Sequence, residues 1–221
     1  MIWLLLFLAA APQPAPFKDE TLAYTINWPS GLSLGESRMR AARAGERWEL
    51  EFTLEAAIPG LGITNRFRSI TGDDFCSLEL EKQLQHGKRK AHERTTFDPQ
   101  KGLATRETLG GGGKTEIPAS SCARDALAFL YHLRRELAQG RLPAPQNVFL
   151  GAQYRVAVQY AGFARVRVND VPMEADRLTL AIKGPASEHT AELFFARDPV
   201  RTPLMVRVPF PLGAFSMELV R

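Results

Sequence analysis

Cys122-Ala-Arg-Asp-Ala-Leu-Ala-Phe-Leu-Tyr-His-Leu-Arg-Arg-Glu-Leu137 is the one long stretch of this chain with a helical period. Leu127, Leu130, Tyr131, Leu133 and Leu137 recur at three- and four-residue steps and form an apolar packing face, which Ala126 and Phe129 widen. The spacing predicts an amphipathic helix over about 122–139. Ser121 or Cys122 can cap its start, Asp125 falls in the first turn, and Arg134 and Arg135 lie near the end, where cations suit the helix dipole. Gly140 suits the position just past it. A lone amphipathic helix in a strand-rich chain must lay its apolar face on a sheet.

Outward from the helix, almost everything reads as strand. Arg47-Trp-Glu-Leu-Glu-Phe-Thr-Leu-Glu55 alternates most cleanly, with Trp48, Leu50, Phe52 and Leu54 on one face and glutamates and Thr53 on the other. Strand patterns precede it at Thr21–Trp28 and Leu32–Ala44, and follow at Asn65–Thr71, Ser77–Leu84, Lys88–Phe97 and Leu103–Thr108. The Lys88–Phe97 strand is polar on both faces, so it belongs at a sheet edge or along a wet concavity. Gly110 to Gly113 is a flexible link to the helix, and Arg141 to Gln146 a Pro-containing connector beyond it. Further strands read at Tyr154–Tyr160, Ala164–Asn169, Arg177–Ile182, Ala191–Ala196, Met205–Val208 and Phe215–Val220, separated by turn signals. The fold class is therefore mainly β: an antiparallel meander forming an open or curved barrel, or two packed sheets, with one central amphipathic helix.

Residues 1–16 are set apart by an apolar run, Met1 to Leu8, then Ala9-Ala10-Ala11 and a Pro-rich leader to Pro16. The run is too short to span a bilayer and reads as a signal peptide or N-terminal anchor; the alternative is a buried N-terminal strand. No Lys or Arg precedes it, and Pro12 directly follows the Ala9-x-Ala11 site. Residues 17–221 then read as a single β-rich domain. Export to a periplasm or cell envelope favours a disulfide between Cys76 and Cys122, the sole cysteines; the alternative is two buried free thiols.

The composition, 45% hydrophobic and 24% charged, excludes general disorder, and a net charge of +4 is too small to argue for nucleic acid. Gly110-Gly-Gly-Gly-Lys-Thr115 imitates a phosphate loop, but Thr108 stands where its first glycine belongs and Glu116-Ile-Pro118 opposes the following helix. His86, His92, His132 and His189 lack metal-site spacings, and Asp73-Asp74 reads as a turn rather than a calcium site. No nucleophile elbow, free thiolate or paired acid and base emerges, so the chain reads as non-enzymatic and without a cofactor. The strongest electrostatic feature is the basic group Lys82, Lys88, Arg89, Lys90 and Arg94, with Lys101 nearby. It is either a solvated, edge-protecting hairpin or a contact for anionic head groups or an acidic protein.

With its elements placed, the chain resembles the bacterial envelope family called domain of unknown function 3108, from about Thr21 to Arg221. The resemblance rests on Tyr24-x-Ile-x-Trp28, the hairpin from Leu80-x-Lys82 to Phe97-Asp98, and Asp125-Ala-Leu-x-Phe-Leu-Tyr-x-Leu-Arg134 in the helix. Glu174-Ala-Asp-Arg-Leu178 and Asp198-x-x-x-x-Pro203-x-x-Val206 carry it through the final strands. The family commonly has a tryptophan before that last aspartate, where Phe194 and Phe195 stand here. The resemblance implies an exported β-rich protein and supplies no catalytic residues; its helix motif implies packing, with Asp125 capping the first turn and Leu127, Leu130, Tyr131 and Arg134 anchoring the helix to the sheet.

Two functional expectations follow. The first is non-enzymatic binding of a lipid or other apolar molecule in a concavity between curved sheet and helix. The second is a scaffold or assembly factor that binds another envelope protein through the basic hairpin or a strand edge. Ligand identity, protein partner and oligomeric state are not readable from the residues.

Overall fold

The computed structural model describes residues 17–58, 60–210 and 213–220; the expected signal or anchor at 1–16 lies outside them. Eight strands come first: β1 (Glu20–Asn27), β2 (Ser33–Ala44), β3 (Arg47–Ile58), β4 (Leu61–Thr71), β5 (Ser77–His86), β6 (Arg89–Asp98), β7 (Leu103–Thr108) and β8 (Lys114–Pro118). A two-residue β9 (Arg124–Asp125) leads directly into the helix α1 (Ala126–Ala138). Six strands follow: β10 (Gln146–Phe149), β11 (Gln153–Val168), β12 (Val171–Lys183), β13 (Glu188–Ala196), β14 (Pro203–Phe210) and β15 (Gly213–Val220).

All the strands form one sheet, in the order β8-β7-β6-β5-β4-β3-β2-β1-β15-β14-β13-β12-β11-β10-β9. Two meanders are joined where β1 pairs with both β2 and β15, and among the described residues only β9 on β10 is parallel. Register follows the apolar alternation: Met39 faces Phe52, and Phe52 faces Phe67. Slipping any of these strands by one residue would turn its apolar side chains outward. The sheet curls until its β9 end meets β5, where Ser77 N–H donates to the Ala123 carbonyl at 2.8 Å. The two arrangements left open by the sequence thus resolve as one curled, open sheet.

The helix lies within the curl. Between Cys122 and Ala138 no residue is exposed. Phe129, Leu133 and Leu137 share a cluster with Val148, Val156, Leu178, Leu180 and Phe195, while Tyr131 joins Tyr24, Trp48 and Phe75. A third cluster of Leu80, Phe97 and Ala104 meets Ala123 and Phe149. The β11–β12 hairpin bends at an irregularity between Tyr160 and Phe163. Beyond it, Val166, Val168 and Ala175 share a buried cluster with Phe194 and Met205.

Several details differ from the sequence reading. The helix starts at Ala126, four residues later than predicted, and its cap is Asp125, as the family motif implies, rather than Ser121 or Cys122. Arg124 and Asp125 are extended because they pair with Val148 and Phe149. Tyr154–Tyr160 and Ala164–Asn169 are one strand, since the bulge absorbs the apparent turn. Lys114–Pro118, between the glycine link and the helix, is strand β8, and Gln146–Phe149 is strand β10. Nor is the Lys88–Phe97 strand an edge: β6 lies between β5 and β7, and Thr95 and Phe97 are buried.

Candidate functional site

Between the first half of α1 and the facing wall of β2–β5 lies a cavity of about 200 Å³. Its walls are Met39, Phe52, Phe67 and Leu80 on the sheet and Ala126, Leu127 and Leu130 on the helix, with Met217 and Leu150 completing it. Every lining residue is apolar. The volume is below the roughly 300–1,000 Å³ typical of drug-sized pockets, which suits one slender chain. Leu127 and Leu130, assigned by periodicity to the packing face, are only half-buried because they line this space; Tyr131, Leu133 and Leu137 are buried.

One side of the cavity is closed by the β10–β11 turn. Leu150, 39% exposed, forms part of the wall, and Gly151 follows at φ +79°, a conformation that favours glycine. A Cβ there would collide with the Lys82 ammonium. Lys82 forms a 2.6 Å ion pair with Glu93, its register partner on β6. Arg106 donates to the Gly151 carbonyl, and Gln153 Nε2 donates to the Pro118 carbonyl at 3.0 Å. Three charged side chains thus stand at the edge of an apolar chamber.

The predicted basic group is divided by strand alternation. Lys82 and Arg89 share the inner face with Leu80, whereas Lys90 and Arg94 point outward. Arg94 stands 3.8 Å from Glu79; Lys88, Arg89 and Lys90 are exposed around the hairpin tip. The group does not form one patch.

The helix is fixed by polar anchors at both ends. Asp125 is fully buried; its Oδ1 accepts from Leu127 and Ala128 N–H at 2.9 and 3.1 Å, and its Oδ2 from the Ser69 and Ser77 hydroxyls at 2.5 and 2.6 Å. Burial raises its pKa above the usual carboxylate range, against the opposing pull of these four donors. Further along, the buried Arg134 grips Glu20 with both terminal nitrogens, Nη2 to Oε2 at 3.1 Å. Its Nε donates to the Val200 and Arg201 carbonyls, and its plane stacks on Phe17 and Tyr131. The Tyr131 hydroxyl donates to Glu20 at 2.8 Å, and burial pushes its pKa well up.

Cys76 and Cys122 form a disulfide with Cα atoms 4.8 Å apart, tying the start of β5 to the approach to the helix. The adjoining turn inserts Phe75, fully buried at φ +58°, against Tyr131 and Trp48. Asp73 and Asp74 make this turn as predicted: Asp74 accepts from the Cys76 N–H, and Asp73 pairs with Arg43. Arg135 donates to both of their carbonyls. Periodicity had no means to show that this turn, or Glu20 on β1, holds the helix.

The histidines stand apart from one another. His86 meets Asn65 and His92 meets Glu81, while His132 is half-buried among Arg124, Arg135 and Arg141. Burial first, then those guanidiniums, lower its pKa to about 4. The Gly110–Gly113 stretch is the β7–β8 turn, closed by Thr108 N–H on the Gly113 carbonyl. Among the described residues, no helix is long and apolar enough to cross a membrane.

A solved structure described as a β-barrel-like protein of domain of unknown function DUF1849, from Brucella abortus, is similar to this one in fold. Its TM-score is 0.68 at 7% identity, covering 92% of this chain and 96% of that one. At that identity the likeness concerns the fold alone. No curated protein matches the sequence. The sequence profile of the family described as protein of unknown function (DUF3108) matches residues 23–220, nearly the whole chain, and the protein belongs to that family.

Proposed function

We propose that this is an exported, non-enzymatic protein that binds a lipid or other apolar molecule inside its curled sheet. The observation that carries the reading is the wholly apolar cavity between α1 and β2–β5. Space lined by aliphatic and aromatic side chains gives water no hydrogen-bond partners and favours an apolar guest. The Cys76–Cys122 disulfide supports an oxidising, non-cytoplasmic location, and the apolar leader at residues 1–16 accords with export. The polar anchors hold the helix in place, and with it Ala126, Leu127 and Leu130 on the cavity wall.

The test is titration of the protein with the neutral dye N-phenylnaphthylamine, followed by fluorescence. Saturable binding of one dye per chain is expected, lost in Leu127→Trp, where the indole fills the cavity. Equal binding by both proteins, with equal melting temperatures, would place the dye elsewhere and sink the reading.

A further inference from the structure

Taking the cavity as an apolar ligand site, we infer that its ligand is an anionic amphiphile, a single-chain carboxylate of fatty-acid type. Its chain lies against Leu80, Phe67 and Leu127, and its head group meets Lys82 and Arg106. The inference rests on the proposed function above and adds the chemistry of the ligand's polar end.

Strand alternation puts cavity and charges on one continuous surface. Leu80 lines the cavity, and Lys82, two residues on, shares its face. Phe67, another wall residue, is the register partner of Lys82 across β4–β5. On the other side, Leu150 forms wall while Gly151 sits against the Lys82 ammonium and under Arg106. A chain leaving the cavity past Leu150 therefore meets these two cations first.

The sign of the charge is decided by a count along the inner faces. Pairing Leu80 with Thr95 and Thr95 with Arg106 places Lys82, Arg89 and Arg106 on the inner side of β5–β7. Among the described residues, Glu93 is the one acid on that side of these strands. Arg89 stands at the exposed hairpin tip, so beside the cavity one carboxylate answers two cations, Lys82 and Arg106. Lys82 has three N–H donors and Arg106 five, more than Glu93 and the Gly151 carbonyl occupy. Next to an apolar wall, attraction between such donors and a carboxylate is stronger than in water. A cationic head group would face net repulsion, and an uncharged one would leave the excess charge unanswered.

The test is calorimetric titration of the full chain with decanoate, decanol and decyltrimethylammonium. Decanoate is expected to bind about tenfold or more tightly than decanol, as one charge-assisted hydrogen bond allows, with the cation weakest. Lys82→Met combined with Arg106→Gln should bring decanoate to the level of decanol and leave decanol unchanged. Glu93→Gln, which removes the opposing acid while leaving both cations, should tighten decanoate. Equal affinity of the wild type for decanoate and decanol, or no response of decanoate to any of these changes, overturns the head-group assignment while the cavity reading stands. Failure of all three probes to bind overturns the cavity reading itself.

Discussion

The stability of this interior depends on a few polar side chains that have left water and must be fully answered. Asp125 is the clearest: its carboxylate caps the helix and accepts both serine hydroxyls. Asp125→Ala removes the cap and strands the Ser69 and Ser77 hydroxyls, so a loss of about 2–4 kcal/mol is expected in urea denaturation. Arg134→Met leaves Glu20 with the Tyr131 hydroxyl but without its cation and should cost about 3–5 kcal/mol, largely recovered by adding Glu20→Gln. Denaturation midpoints of the single and double variants check this; an unrecovered double variant would contradict the pairing as the cause. His132 gives a pH dependence. Its folded pKa of about 4 lies below the usual 6.5, so below pH 6.5 the unfolded chain binds the proton first. Stability is therefore full above 6.5 and falls as pH drops toward 4. His132→Gln should flatten the slope in that window, as read from melting temperatures across it. The residues that pack were legible in the sequence, because periodicity marks them. Arg134 is placed near the helix end by the sequence and against the sheet by the family motif; its partner, the distant Glu20, is visible in neither.

At the scale of elements, the helix and the long strands were legible because each carries its own alternation. β8, β9 and β10 were not. β9 and β10 are two and four residues long and draw their order from each other and from the disulfide nearby, so no local pattern marks them. The bulge in β11 looked like a turn because Tyr160-Ala-Gly162 has turn chemistry, yet the strand continues through it. The Cys76–Cys122 disulfide closes a separation of 46 residues, worth about 4 kcal/mol on the chain-entropy account. Reduction, or paired substitution by serine, should lower stability by that order and increase hydrogen exchange first in β9 and the start of α1. Uniform loss of protection across the sheet would contradict this local role.

For the whole molecule, the sequence indicated an open, curved sheet with one central helix, and the structure has that architecture, with the helix lying within the curl. That enclosure explains why polar residues of α1 have partners on strands far away in the chain, and why the candidate cavity lies between helix and wall rather than on a surface. The cavity itself had no sequence signature: its lining comes from seven separate segments that only the curl brings together. The sequence motif that stood out electrostatically, the basic hairpin, is split between two faces, and Lys82, on the inner one, stands at the edge of the chamber. The central claim is that this chamber holds an apolar guest. The most direct measurement is native mass spectrometry of the full chain with an uncharged monoacylglycerol titrated in. One adduct per chain, saturating in the wild type and missing from Leu127→Trp, is the predicted result. A bare protein at all concentrations, or the same adducts in both proteins, would contradict it.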